Sequence, residues 1–117
     1  MSNVDLSDDM LGLVAQQFRV LSDPMRLKIL RCLQDGEHTV GQLVDKIASS
    51  QPNISKHLTV LRNAGLVSRR QEGNLAIFDI SAPFVFDLCE IVCNGIVAEL
   101  EAKRVAFGVV ESKNRQK

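Results

Sequence analysis

The chain has 117 residues, a length that suits one domain, and 45% of them are hydrophobic, which is enough for a modest core. Lys and Arg number 14, Asp and Glu also number 14, and the formal net charge is zero. This balance excludes a polybasic tail, so any affinity for nucleic acid must come from local clustering of charge. No apolar segment reaches membrane-spanning length and the acidic N-terminus lacks a signal-peptide pattern, so we expect a cytoplasmic protein without a membrane partner.

The first half of the chain predicts four helices in succession, because apolar residues recur at helical spacing. The predicted spans are residues 6–21, 24–34, 40–47 and 51–64. We expect Ser22, Thr39 and Ser50 to cap the second, third and fourth helices, since a hydroxyl oxygen accepts from the free amides of a first turn. Gly65 closes the fourth helix.

Two strands and a long helix follow. Residues 66–70 and 75–80 have strand-like composition, and the turn between them contains Gly73 and Asn74. The last helix is predicted over residues 82–106. Four helices, a hairpin and a fifth helix describe a mainly α protein with a small β-hairpin wing, that is, a winged helix-turn-helix.

We expect a single domain over residues 1–110, because no linker divides the chain. The polar end of the chain, residues 111–117, is predicted to be a disordered tail.

The most informative segment runs from Thr39 to Asn74. Within it, the stretch from Ile47 to Gln71 contains no acidic residue, although the whole chain is balanced. A segment that lacks carboxylates and is rich in donors suits an anion, and the helix-turn-helix order makes duplex DNA the expected one. The predicted DNA-binding residues are Ser49, Ser50, Gln51, Asn53, Ser55, Lys56, His57, Thr59, Arg62, Arg69 and Arg70.

The start of the fourth helix is expected to reach base edges. Gln51 and Asn53 can pair bidentately with adenine, Lys56 can pair with guanine, and the methyl group of Thr59 can contact thymine. Ser55 belongs to the same early part of the helix.

The remaining predicted contacts are to the DNA backbone. Ser49 and Ser50 can bind a phosphate at the helix N-terminus. Arg62, Arg69 and Arg70 are interpreted as phosphate contacts, with one of the two wing arginines, Arg69 or Arg70, in the minor groove. His57 lies between Lys56 and an apolar residue, which favours a hydrogen-bonding or phosphate-contacting histidine over a metal ligand.

Four short motifs occur together in this part of the chain. They are Leu21-Ser22-Asp23-Pro24 with Arg26 and Leu27, Ser55-Lys56-His57-Leu58 with Leu61, Gly65-Leu66-Val67, and the basic hairpin with Gly73. In combination they resemble the ArsR/SmtB (arsenic repressor) family of bacterial transcription regulators. The resemblance implies a homodimeric repressor that dimerises through its first and last helices, reads operator DNA with its fourth helix, and releases it when an effector binds.

The resemblance also directs attention to metal ligands. Arsenic-type members carry Cys-Val-Cys in the third helix, but the matching residues 37–43 contain no cysteine. Zinc-type members use Asp and His ligands in the last helix, whereas the two histidines here, His38 and His57, both lie outside it. Neither of these metal sites is expected.

Three cysteines remain, Cys32, Cys89 and Cys93, and we expect free thiols in a reducing compartment. Cys89 and Cys93 are one helical turn apart, about 6 Å along the axis, and with Cys32 would form a trigonal thiolate site for As(III) or another soft metal. A disulfide or polysulfide between Cys32 and a last-helix cysteine is a second interpretation, and burial of all three as small hydrophobic side chains is a third.

No acid–base pair, glycine-rich phosphate loop or activated nucleophile is evident, so an enzyme is not expected. The alternative to a DNA-binding regulator is a winged-helix protein–protein interaction module that has lost DNA binding and uses its end helices as the contact surface.

Overall fold

The computed structural model describes residues 6–108, and these residues contain five helices and three strands. In chain order the elements are α1 (Asp8–Leu21), α2 (Pro24–Gln34), β1 (His38–Thr39), α3 (Val40–Ile47), α4 (Gln51–Asn63), β2 (Val67–Glu72), β3 (Leu75–Ile80) and α5 (Phe84–Ala106). The predicted winged helix-turn-helix is confirmed. The predicted tail, residues 111–117, lies outside the described residues. None of the five described helices has the length and apolar character needed to span a bilayer.

The chain divides into two compact units between Ala82 and Pro83. The first unit holds α1 to β3 and the second holds α5. The expectation of one domain over residues 1–110 stays a prediction.

Side-chain caps set the helix boundaries in the first unit. Thr39 caps α3 in a reciprocal capping box with Gln42, and the Ser50 hydroxyl accepts from the Asn53 amide at the start of α4, as predicted. The prediction for α2 is wrong by one residue. Its cap is Asp23, whose carboxylate accepts from the next helix's first amides, while the Ser22 hydroxyl turns back and donates to the last turn of α1.

The core lies between α2, α3, α4 and the sheet, which pack against one another. Its fully buried side chains are Ile29, Leu33, Leu43, Ile54, Leu58, Leu61 and Leu66. Each contributes about 1.5–3 kcal/mol by removal from water. Because α4 buries its apolar stripe here, its opposite side is left facing solvent.

The sheet has the strand order β1-β3-β2 and is antiparallel throughout. The strand β1 was not predicted, because a two-residue strand carries no readable alternation. The hairpin strand β2 runs to Glu72, beyond its predicted end at residue 70, because Glu72 pairs with Leu75 across a two-residue turn. Gly73 takes the first turn position at a φ of 61°, in the left-handed region that favours glycine.

Two helices expose apolar faces. On α1 the exposed side chains include Leu11, Leu13 and Phe18. On α5 they include Ile91, Val92, Ile96, Val97 and Leu100, all more than half exposed. Exposed apolar residues in such number are typical of surfaces that contact another protein chain.

Candidate nucleic-acid interface

A tight turn between α3 and α4 positions the candidate reading helix. Ala48 ends α3 in the left-handed conformation, with φ 61° and ψ 51°. Ser50 then caps α4, with 3.2 Å between its Oγ and the Asn53 amide nitrogen, and Pro52 occupies the first turn, where a missing N–H costs little. The turn therefore directs the N-terminus of α4 outward.

The outer side of α4 carries most of the predicted base and phosphate contacts. Exposed residues of this set are Ser50, Gln51, Lys56, Thr59 and Arg62, and half-buried ones are Ser49, Asn53 and Ser55. The opposite side of α4 is buried in the core. The fold thus brings these predicted residues onto one continuous face.

Short hydrogen bonds organise the polar groups on this face. Asn53 Nδ2 donates to Ser49 Oγ over 3.0 Å, and Gln51 Nε2 donates to Ser55 Oγ over 3.1 Å. Thr59 Oγ1 donates to the Ser55 carbonyl over 3.0 Å. All these partners are neutral, so bonds to base edges or phosphates can replace them without separating an ion pair.

His57 differs from its neighbours because it is buried, with 7% of its surface exposed. Its Nδ1 lies 3.2 Å from Arg26 Nη1, and since arginine only donates, Nδ1 accepts and the ring proton is assigned to Nε2. Of the two roles left open by the sequence, this geometry favours hydrogen bonding within the fold over contact with a phosphate.

Arg26 links three parts of the first unit and was not predicted as a functional residue. Its Nε donates to the Val20 carbonyl at the end of α1 over 2.6 Å, while Nη1 reaches His57 on α4. Partial burial acts to raise the pKa of the nearby Asp23 carboxyl, but amide hydrogen bonds from Met25 and Arg26, with the charge of the Arg26 guanidinium, lower it overall. Arg26 appeared in the sequence only as part of a motif.

The two wing arginines are both exposed but have different partners. Arg69 Nη2 donates to the neutral Gln71 Oε1 over 2.8 Å. Arg70 donates from Nε to Glu72 Oε2 over 2.8 Å, and from Nη1 and Nη2 to the two oxygens of Glu37 over 2.7 and 3.0 Å. The hydrogen bonds from Arg70 hold the pKa of the Glu37 carboxyl below its ordinary value of 4.5.

A family model described as "Bacterial regulatory protein, arsR family" matches residues 23–69, which include α2, α3 and α4. An HTH-type transcriptional regulator of Mycobacterium tuberculosis, Rv0081, is 35% identical over 101 residues, covering 86% of this chain and 88% of the relative. The chain belongs to the ArsR family of bacterial regulatory proteins. As an ArsR regulator it is a DNA-binding transcriptional regulator, and the family resemblance found in its motifs is confirmed.

Solved structures resemble this ArsR regulator over most of its length. The crystal structure of Rv0081 matches with a TM-score of 0.70 at 34% identity, covering 85% of this chain and 99% of that one. The homodimeric winged helix-turn-helix DNA-binding domain Mb0332 of Mycobacterium bovis matches with a TM-score of 0.71 at 28% identity, covering 87% and 95%. A probable mercury resistance operon repressor of Streptomyces lividans is 40% identical over 74 residues, covering 63% of this chain and 59% of the relative.

The cysteines of the ArsR regulator are free thiols in both units. Cys32 is half-buried on α2, and Cys89 and Cys93 are exposed one turn apart on α5. Among residues 6–108, no three His, Cys, Asp or Glu side chains are grouped as ligands for one metal ion. The three-cysteine site, the redox pairing with Cys32 and the packing of these cysteines as small hydrophobic side chains all stay predictions.

The second histidine also has a structural role. His38 Nδ1 lies 2.8 Å from the Gly36 carbonyl, so this nitrogen carries the ring proton and donates. Lys46 Nζ donates to Nε2 over 2.8 Å. His38 is buried and ties the loop before α3 to the last turn of that helix, so both ring nitrogens are engaged within the protein.

Proposed function

We propose that this ArsR regulator is a homodimeric repressor that reads operator DNA with the outer face of α4 and the wing, and that a thiol-reactive effector releases it. The single observation that carries the proposal is the exposed face of α4, on which Gln51, Lys56 and Arg62 lie opposite the buried stripe. Carboxylates are absent from the sequence throughout this helix, so nothing on it repels phosphate.

In the proposed complex, α4 lies in the major groove. Gln51, Asn53 and Lys56 reach base edges with Ser55 and Thr59 beside them, because the N-terminal residues of a recognition helix approach the bases. Phosphates are bound by the hydroxyls of Ser49 and Ser50 and by Arg62 and the wing. His57 is not included among these DNA contacts. Because it is buried on the inner side of α4, we assign it a role in holding that helix in place.

Dimerisation through α1 and α5 is supported by the apolar side chains that each of these helices exposes, such as Phe18 and Ile96. A helix-turn-helix dimer matches two half-sites about 34–36 Å apart on one side of the duplex. The Mb0332 domain is homodimeric, and we extend that assembly to this chain. A regulator of this kind acts where bacterial DNA is, in the cytoplasm.

The proposed effector is a thiol-reactive species, namely arsenite, another soft metal or reactive sulfur. Cys89 and Cys93 support this proposal, because they are exposed and share one face of α5. Two thiolates one helical turn apart can hold one soft ion. The mercury resistance repressor among the relatives supports a soft-metal effector for this chain.

Fluorescence anisotropy with the chain's own promoter DNA tests operator binding. Combined Lys56→Ala and Arg69→Ala substitution is expected to weaken binding by at least tenfold and to lower its dependence on salt. Combined Lys28→Ala and Arg31→Ala substitution on exposed parts of α2 is the matched control, since it removes the same charge elsewhere. Equal affinities for both double variants contradict the proposal. Absence of any salt-dependent binding favours the alternative, a protein–protein interaction module.

A release assay tests the effector. Arsenite and polysulfide are added separately to the protein–DNA complex, and free thiols are counted before and after. We expect release by one of them, and loss of that release when Cys32, Cys89 and Cys93 are all replaced by Ser. A triple variant that still releases DNA with both reagents contradicts thiol sensing and leaves DNA binding untouched.

A further inference from the structure

The register of the sheet places the two neighbouring wing arginines on opposite faces. Arg69 is paired with Phe78, and Arg70 is paired with Ile77. Since successive side chains of a strand alternate between its two faces, Arg69 extends from the same face as Phe78, and Arg70 extends from the same face as Ile77. Adjacent position in the sequence therefore does not make these two cations equivalent.

Arg70 lies within a cluster of acids. Glu37, just before β1, receives two parallel hydrogen bonds from its guanidinium, and Glu72 on the same strand receives a third. One cation and two carboxylates leave this group with a net negative charge. Arg70 lowers the pKa of Glu37, so this carboxylate stays ionised at neutral pH.

The side chains of this acidic cluster are about half exposed, so each ion pair by itself is weak in water. When a pair opens, its carboxylate still lies within a Debye length of any phosphate that Arg70 approaches, and it repels that phosphate.

Arg69 lies among neutral groups. Gln71 Oε1 accepts from its Nη2, and Gln71 in turn donates from Nε2 to the Gly73 carbonyl in the hairpin turn over 3.1 Å. This chain of bonds orients the guanidinium and leaves its charge uncompensated. A phosphate that binds Arg69 therefore interacts with one full positive charge that no carboxylate neutralises.

We propose that the wing is electrostatically two-sided: Arg69 is its phosphate-binding cation, whereas Glu37 and Glu72 neutralise Arg70 and weaken operator binding. The proposal rests on the proposed contact of the wing with DNA and narrows it to one arginine. Glu37 then limits the affinity for DNA. It neutralises the positive charge of Arg70, which would otherwise bind a DNA phosphate and release a counterion from the duplex.

Salt titrations of operator binding by the intact protein test this proposal. Arg69→Gln is expected to reduce the slope of log K against log salt by about one unit per wing and to weaken binding. The combined Arg70→Gln and Glu37→Gln variant, which keeps the net charge, is expected to bind within about twofold of the parent protein. Glu37→Gln alone is expected to strengthen binding by about threefold at 0.1 M salt and to steepen the slope.

Two results overturn the proposal. One is a double variant that loses as much affinity as Arg69→Gln, which makes Arg70 a phosphate contact. The other is a Glu37→Gln protein that binds like the parent or more weakly, which makes Glu37 inert or a support for Arg70. Thermal melts confirm that each variant is folded, and Lys56→Ala is measured alongside. If Lys56→Ala weakens binding while the wing variants behave otherwise than expected, the repressor function stands and only the two-sided wing fails.

Discussion

Arg26 donates a hydrogen bond from Nη1 to Nδ1 of His57 over 3.2 Å. The same guanidinium donates from Nε to the Val20 carbonyl over 2.6 Å. One side chain on α2 therefore connects the end of α1 with the inner side of α4. If α1 contributes to the dimer interface as proposed, this link joins the interface to the helix that reads DNA.

Loss of this link is expected to lower both stability and operator affinity. His57→Leu leaves the half-buried Nη1 donor of Arg26 without its acceptor, which costs about 1 kcal/mol of unfolding free energy. His57→Asn keeps an acceptor near the position of Nδ1 and is expected to recover part of both losses. Urea denaturation and anisotropy measure the two quantities. If Asn and Leu variants behave alike, the hydrogen bond has no role in positioning α4.

The Asp23 cap is expected to make stability depend on acid. The folded protein lowers the pKa of this carboxyl from its ordinary value of 3.8, so its stabilising effect is complete at neutral pH and is lost as pH falls through the lowered pKa. Asp23→Ala is expected to cost about 1 kcal/mol at pH 7, the typical worth of a helix cap. The difference between parent and variant should shrink below pH 4 in urea titrations.

Ser22→Ala is the control for this acid dependence. Ser22 donates to the Arg19 carbonyl, and its hydroxyl does not titrate between pH 3 and pH 7. The Ser22→Ala substitution should therefore change the unfolding free energy by the same amount at pH 7 and at pH 3. An Asp23→Ala penalty that does not change between pH 7 and pH 3 argues against a charged cap.

The turn before α4 contains local strain that can be relieved. Ala48 has a φ of 61°, which costs a residue with a Cβ about 1 kcal/mol relative to glycine. Ala48→Gly is therefore expected to stabilise the protein by up to about 1 kcal/mol in urea denaturation. The matched control is Ala64→Gly, where φ is −86° and glycine brings only added chain entropy. Stabilisation by both substitutions, or by neither, contradicts this explanation.

The exposed apolar faces predict how the dimer can be disrupted. Phe18→Glu on α1 and Ile96→Glu on α5 each place a charge on an exposed apolar face, and both are expected to shift the protein toward monomer. Sedimentation velocity over a range of concentrations measures this shift. Arg31→Glu on an exposed part of α2 is the control and should leave the dimer intact. Unchanged sedimentation of the first two variants excludes those faces from the interface.

Local signals in the sequence were sufficient to predict most of the helix-turn-helix. Hydroxyl residues at Thr39 and Ser50 each stand immediately before an amphipathic run, so the starts of α3 and α4 could be located. The start of α2 at Pro24 was predicted correctly, but its cap was assigned to Ser22 instead of Asp23 because both residues are good caps. Which of them turns toward the helix depends on the path of the chain out of α1, and this is not encoded in cap preference.

The candidate interface was less predictable where it depends on contacts between distant residues. The absence of carboxylates between Ile47 and Gln71 correctly directed attention to α4. It gave no warning about Arg70, because Glu37 is 33 residues away and approaches only through the pairing of β1 with β3. The structural role of His57 was also not predictable from neighbouring residues, because its hydrogen-bond partner Arg26 lies 31 residues earlier in the sequence.

The unequal partners of Arg69 and Arg70 also affect how the protein arrives at DNA. A regulator in solution tumbles as it approaches a duplex, and long-range fields bias its rotation before any atom touches. One side of the hairpin carries the cation Arg69, and the other side carries an excess of carboxylates. When the carboxylate side faces the duplex, the DNA phosphates repel it. The charge asymmetry of the hairpin therefore steers the protein electrostatically during the encounter, so that a larger fraction of collisions occurs in the binding orientation.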